Sequence, residues 1–165
     1  MIKRLFPIAL IVLGVVFAGA GAYTVYRGFD AQDQVRSELQ AQNIVTPGDA
    51  RTPNTQVKDV ETAQAMADII QVHAMESTGG LTYAEMDRDD PARQTALNAA
   101  NLRTSLYTSV MAFEVSNLVI GLGLMIIVMG VAVGGLGVAL ASLVIPTLAE
   151  RVHVHPVVED EPPKS

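Results

Sequence analysis

The chain contains no cysteine and few charged residues. Of its 165 residues, 11 are Lys or Arg and 17 are Asp or Glu, which gives a formal net charge of −6. Without cysteine the chain can form no disulfide, no thiolate metal site and no covalent c-type haem attachment. The acidic balance argues against nucleic acid as a partner, because nucleic-acid binding depends on clusters of Lys and Arg.

Ionisable side chains are also missing from a long stretch near the carboxyl end. Residues 115–149 are thirty-five positions without Asp, Glu, Lys, Arg or His, and a second apolar run covers residues 5–26. A helix of about 20 apolar residues crosses the hydrocarbon core of a bilayer. We therefore predict an all-α membrane protein with two transmembrane helices, at residues 1–27 and 108–149. Because this run contains no ionisable side chain, it argues against proton, metal and electron-transfer chemistry inside the bilayer.

The second apolar run is longer than one simple crossing requires. Residues 110–148 would form a straight helix of ~58 Å, whereas the hydrocarbon core is about 30 Å thick. We predict a bend near Gly134-Gly135, which would relieve this mismatch, and three membrane segments are the alternative. Residues 150–165 are predicted to form a disordered cytoplasmic tail, because they are polar and rich in proline.

The polar segment between the two runs, residues 28–107, is predicted to be a small helical extracytoplasmic domain. Apolar residues recur at intervals of three and four over residues 57–77, which predicts a helix. Asp90-Pro91 is typical of a helix start, with Asp as the N-cap and Pro as the first helical residue. We expect the helix that begins there to run without a break into the second span.

The positive charges at the amino terminus predict the orientation. Lys3 and Arg4 precede the first apolar run, and positively charged flanks tend to stay in the cytoplasm. Arg27 at the far end weakens this bias without reversing it. We predict a multi-pass protein of the plasma membrane with both termini cytoplasmic. Alternatively, the first run is a signal sequence cleaved near residues 18–20.

Small and polar residues mark candidate contacts between helices. Small side chains at intervals of three or four allow another helix to approach closely. The candidates for close packing are Gly14, Ala18, Ala22, Gly130, Gly134, Gly137 and Ala141. Near the outer end of the second span, polar side chains are candidates for hydrogen bonds between helices. These candidates are Glu114, Ser116 and Asn117.

The possible metal ligands do not form a recognisable site. The acidic cluster Glu85, Asp87, Asp89 and Asp90 lacks the glycine and the distal Glu of a calcium-binding EF-hand. His73 lies on the predicted helix without a neighbouring cysteine, and the pair His153 and His155 lies in the predicted tail. We therefore predict no bound metal and no cofactor. A metal-binding or docking role for the acidic outer loop stays open as an alternative.

Four segments of the chain resemble a known family. They are Met66-Ala-Asp-Ile-Ile-Gln-Val-His73, Gly79-Gly-Leu-Thr-Tyr-Ala-Glu85, Asp87-Arg-Asp-Asp-Pro91 and Arg103-Thr-Ser-Leu-Tyr-Thr-Ser-Val110. Over about residues 60–130 the sequence resembles small actinobacterial membrane proteins with two spans and a short outer domain. Members often carry an automatic name of aromatic ring-opening dioxygenase. This sequence does not support that name, because a His and carboxylate iron site is needed and the three histidines fall on opposite sides of the membrane in the predicted topology. The chain is also similar to the accessory factor of the actinobacterial cytochrome bcc–aa3 respiratory supercomplex.

The function expected from the sequence is that of a noncatalytic accessory, assembly or stabilising subunit of a larger membrane complex. The resemblance implies packing against larger integral membrane subunits, namely cytochrome bcc and aa3 oxidase components. It implies no cofactor and carries over no catalytic residue. The remaining contacts would be with membrane lipid. The alternative from a different class is a homo-oligomeric small membrane sensor or channel that associates through the same helix faces.

Overall fold

The described part of the chain folds into helices, as its apolar runs and the periodicity of its apolar residues predict. In the computed structural model, the backbone is described for residues 2–152 and the side chains for residues 5–143. The helices are α1 (Ile2–Ala41), α2 (Val60–Ser77) and α3 (Arg93–Val152), and the described residues form no strand. Both α1 and α3 are long and apolar enough to cross a membrane. The all-α class and the two candidate spans are therefore confirmed.

The helix boundaries follow from local capping. Helix α2 starts at Val60, three residues later than predicted, because the Asp59 carboxylate accepts a hydrogen bond from the backbone N–H of Thr62 at 2.9 Å. Helix α3 starts at Arg93, because the Asp90 carboxylate accepts from the N–H of Ala92 at 2.8 Å and holds a turn before the helix. As predicted, α3 then continues without a break into the second apolar run.

Helix α3 is continuous through the glycine pair at which a bend is predicted. Its helical hydrogen bonding extends past Gly134-Gly135 to Val152. A helix can bend without an interruption of its hydrogen bonding, so the bend near Gly134-Gly135 stays a prediction. The first three residues of the predicted tail, 150–152, belong to α3. The rest of that tail, including His153 and His155, lies outside the described residues.

The chain divides into two compact units, and the described residues of one of them belong to α1 and α3. This two-helix unit comprises Met1–Tyr23 and Gly123–Ser165. A Cβ atom on Gly14 would lie 2.5 Å from the backbone nitrogen of Gly134, and one on Gly130 would lie 2.6 Å from that of Ala18. Such distances are shorter than any real contact between a Cβ and a backbone atom. The two antiparallel helices therefore touch backbone to backbone.

The glycines at this contact are seven residues apart. On α3 they are Gly123, Gly130 and Gly137, and on α1 they are Gly14 and Gly21; all five are buried. A period of seven keeps one face of a helix against its neighbour along the whole contact. The prediction from spacings of three and four found Gly14, Gly130 and Gly137 but missed Gly21 and Gly123. Gly19 and Gly135 lie off this face and meet open space.

The other predicted packing residues lie at different distances from the contact between α1 and α3. A Cβ on Gly134 would be 3.7 Å from the Cα of Gly14, which is ordinary van der Waals contact. Ala18 contacts Gly130, and Ala141 is half-buried. Ala22 is exposed. Its place on the predicted face was inferred from a spacing of four, which drifts away from the seven-residue face followed by the glycines.

The three-helix unit, Thr24–Leu122, contains the end of α1, all of α2 and the first part of α3. Its core consists of buried apolar side chains from all three helices and from the loop before α2. They are Leu39, Val57, Ala63, Ala67, Leu106, Val110 and Phe113. In this unit α1 meets α3 at Gly28, whose Cβ would lie 3.3 Å from the carbonyl oxygen of Ser116. Gly28 follows Gly21 by seven residues, so the glycine period of α1 continues here.

We predict that alanine at a contact glycine destabilises the protein, whereas alanine at an open glycine does not. Gly14→Ala and Gly130→Ala force the two backbones apart, and overpacking of this kind costs about 1–3 kcal/mol. Gly19→Ala and Gly121→Ala meet open space and add helix propensity of up to about 1 kcal/mol. Thermal unfolding in detergent should show a lower Tm for the first pair only. Equal Tm values for all four variants would contradict the backbone contact.

Candidate docking groove

The largest opening described in the three-helix unit is a groove of about 880 Å³. All three helices line it, together with Ile44 from the loop after α1. Binding sites for ligands and helical segments are commonly concave, mainly apolar surfaces of about 300–1,000 Å³ with a few placed polar groups. The size and position of this groove make it the candidate functional site.

The floor of the groove is the outer surface of the hydrophobic core. Leu39 of α1 and Leu106 of α3 are buried members of that core, and Met66 and Ile70 of α2 pack against it. Leu102 also lines the groove and remains 55% exposed. Removing an apolar floor with an exposed leucine from water is favourable in free energy.

The edge formed by α1 is polar. Gln34 and Glu38 are four residues apart on one face of α1, and Gln42, directly after the end of the helix, continues the same edge. All three are exposed, and their side chains have no hydrogen bond or ion pair with the described part of the chain. Glu38 is the one ionisable side chain among the described lining residues, so no positive charge balances it within the groove.

The wall formed by α3 consists of small side chains. Its hydroxyl groups point back to the helix: Thr108 donates to the carbonyl of Thr104 at 2.8 Å, and Ser109 donates to that of Ser105 at 3.3 Å. Hydroxyls that are satisfied in this way do not require an outside acceptor. The wall therefore has short, weakly polar side chains, so that the backbone of another segment can approach it.

Polar contacts hold α2 against α3 and so fix the third side of the groove. The side chain of Arg103 donates to the carbonyl of Ala67 at 3.2 Å, and the hydroxyl of Tyr107 donates to the carboxylate of Asp68 at 3.2 Å. Both acceptors lie close in sequence to Met66 and Ile70. These contacts keep the α2 residues of the floor in place.

A capping box fixes the start of α2. The Asp59 carboxylate accepts from the N–H and from the hydroxyl of Thr62, while the Thr62 hydroxyl accepts from the N–H of Asp59 at 3.2 Å. Partial burial disfavours the charged form of Asp59, but the hydrogen bonds from Thr62 outweigh it and hold the pKa of Asp59 below its ordinary value. The ionised carboxylate is thus the form that caps the helix.

The predicted polar contacts at the end of the second span are formed in part. Asn117 accepts a hydrogen bond from the side-chain amide of Gln32 at 2.6 Å, which joins α3 to α1. Ser116 is buried and donates to the carbonyl of Ala112 within its own helix at 2.8 Å. Glu114 is exposed and makes no hydrogen bond with described residues. Asn117 is therefore the member of the three that joins two helices.

Glu85 and Asp90 of the acidic cluster, and His73, have structural partners. The Glu85 carboxylate accepts from the hydroxyl of Thr82 at 2.7 Å and from its N–H at 2.8 Å, and these bonds lower the pKa of Glu85. His73 lies 2.8 Å from the carboxylate of Asp49, and its hydrogen bond holds the pKa of Asp49 below the ordinary value. Between residues 5 and 143, no group of three His, Asp or Glu side chains is arranged to hold a metal ion.

We predict that the Asp59 cap contributes stability that disappears in acid. Asp59→Ala should lower the free energy of unfolding by about 1 kcal/mol at pH 7. Because the folded-state pKa of Asp59 is depressed, its contribution is present above the unfolded pKa of about 4 and is lost as the pH falls through the folded pKa. Thermal unfolding from pH 7 to pH 2 should show the difference shrink. Glu61→Ala is the control, since this exposed acid of the same turn does not cap the helix; an equal effect of both variants would contradict the prediction.

No protein family model, curated protein or solved structure matches the chain. The resemblance of residues 60–130 to the two-span actinobacterial family therefore stays a prediction. The groove has to be interpreted from its own geometry, which combines an apolar floor, an unpaired polar edge and a wall of small side chains.

Proposed function

We propose that this protein is a noncatalytic accessory subunit that stabilises a larger integral membrane assembly and docks to it through the groove. The observation that supports this proposal is the composition of the groove. Its surface, formed by three helices, contains an exposed leucine and three unpaired polar side chains. Exposed apolar surface rimmed by polar residues commonly marks a binding site.

The exposed faces of the long helices support a membrane location. In their most apolar windows, only 17% of the residues of α1 and 11% of those of α3 are buried within the chain. Large side chains such as Phe6 and Val128 are 60% and 68% exposed. Lipid acyl chains and the helices of other subunits are the surroundings that suit such faces. With Lys3 and Arg4 on the cytoplasmic side, as predicted, residues 28–107 would lie outside the cell.

The glycine contacts change the surface through which partners would pack. The sequence suggested that small-residue faces receive the helices of other subunits. In the two-helix unit those faces meet each other instead, at Gly14, Gly130 and Gly137. In the proposal, partner helices therefore pack against the large side chains of the outer faces. The partners implied by the resemblance are cytochrome bcc and aa3 oxidase components.

We predict that the tagged protein, extracted in mild detergent, migrates on native gels with a larger assembly that proteomics can identify. Leu102→Glu should lower the recovery of partner subunits at least about tenfold, since it places a charge on the apolar floor of the groove. Val72→Glu is the matched control, because Val72 is 47% exposed and does not line the groove. A wild-type protein that migrates alone, or only with copies of itself, would contradict the accessory role.

A further inference from the structure

We infer that the occupant of the groove is an amphipathic helix of a partner subunit, with an apolar face toward the floor and a Lys or Arg beside Glu38. This inference rests on the proposed function and specifies the chemistry of the partner at the same site. It follows from the dimensions of the groove and from the difference between its two long sides.

The groove has the length of a short helix. On the α1 side the lining residues span positions 34–42, of which position 42 directly follows the last residue of the helix, and those of α3 span positions 102–112. At 1.5 Å per residue these stretches measure ~12 Å and ~15 Å, which is between two and three helical turns. A helix that binds in a groove of this length inserts apolar anchors at positions i, i+4 and i+7. Leu102, Leu106 and Met66 offer the apolar floor that such anchors contact.

The α3 side of the groove allows the backbone of another helix to approach closely. Ser105, Ser109 and Ala112 are spaced by four and three, so they form one row of small side chains that face the groove. Rows of this kind let two helix backbones come close together, and the gain is van der Waals contact along the whole row. Since Ser105 and Ser109 donate to their own helix, the row needs no polar partner.

The α1 side favours a peptide over a lipid tail. An acyl chain would leave Gln34, Glu38 and Gln42 without partners next to an apolar occupant, which is costly for polar groups that lose water. A helix can present polar side chains at the same interval of four residues and pair with all three. Because Glu38 is the one charged lining group described, the complementary helix carries a Lys or Arg at the middle position of that row.

Photo-crosslinking in intact cells tests this inference on the full-length protein. p-Benzoylphenylalanine at Thr108 lies at an exposed position of the α3 wall beside the row of small side chains, and at Asn101 it lies on an exposed position of α3 outside the groove. Mass spectrometry of the crosslinked peptide from the Thr108 probe should identify one segment of another subunit. That segment should have apolar residues at i, i+4 and i+7 and a Lys or Arg on one flank. The Asn101 probe should not capture it.

A charge reversal supplies the second readout. Glu38→Lys should reduce the yield of the Thr108 crosslink about tenfold, because it places like charges opposite each other. Glu76→Lys makes the same change in net charge at an exposed position outside the groove and should leave the yield unchanged. Equal yields from both variants would overturn the assignment of a basic partner helix.

The outcomes separate this inference from the proposed function. A lipid adduct, a peptide from a second copy of this chain, a segment without the helical pattern, or no crosslink at Thr108 would each overturn the inference. The native gel is read in the same cells. If the protein still migrates with a larger assembly, the accessory role stands and the groove assignment alone is wrong. If it migrates alone, both fail.

Discussion

Helix α1 can touch helix α3 along its backbone because glycine stands at each position where a Cβ would collide. At Gly14, Gly21 and Gly130, an added Cβ would lie within 2.7 Å of a backbone atom of the other helix. In lipid, no hydrophobic force draws two apolar helices together, so association depends on van der Waals contact and on hydrogen bonds between helices. The rows of glycine supply that contact. They also leave the large apolar side chains on the outer faces, where Phe6 and Val128 lie exposed.

The three-helix unit uses small side chains in a different way. Ala63 and Ala67 place α2 in the core beside Leu39 and Leu106, and the capping box at Asp59 fixes where α2 begins. The contacts of α2 with Arg103 and Tyr107 then define one side of the groove. The polar row on α1 remains without partners in this unit. The physical reason to expect a bound partner is therefore local: the groove combines an uncovered apolar floor with polar groups that bind nothing in the part of the chain that the structure describes.

Much of the fold could be predicted from the sequence, since helices and caps depend on neighbouring residues. The helical segments, the stop after Ser77 and the entry of α3 into the apolar run all follow from local patterns. The seven-residue period was also visible in the sequence at Gly14, Gly21 and Gly28, but shorter spacings drew attention to Ala22 instead. The groove could not be predicted in this way. Its lining comes from three separate segments of the chain, at residues 34–44, 66–70 and 102–112, and its unpaired edge is recognisable only once the contacts of Gln34 and Glu38 are known.

The central claim is that the glycine faces meet within one chain, and a pair of introduced cysteines tests it most directly. The native sequence has no cysteine. The side chains of Gln32 on α1 and Asn117 on α3 meet at 2.6 Å, close to the contact of Gly28 with Ser116, so both can be replaced without filling a glycine position. Gln32→Cys combined with Asn117→Cys, treated with a short bismaleimide crosslinker in native membranes that contain two differently tagged copies, should be linked within each chain. A crosslink that joins the two tagged copies would show that α1 and α3 pack between separate molecules and would contradict the account.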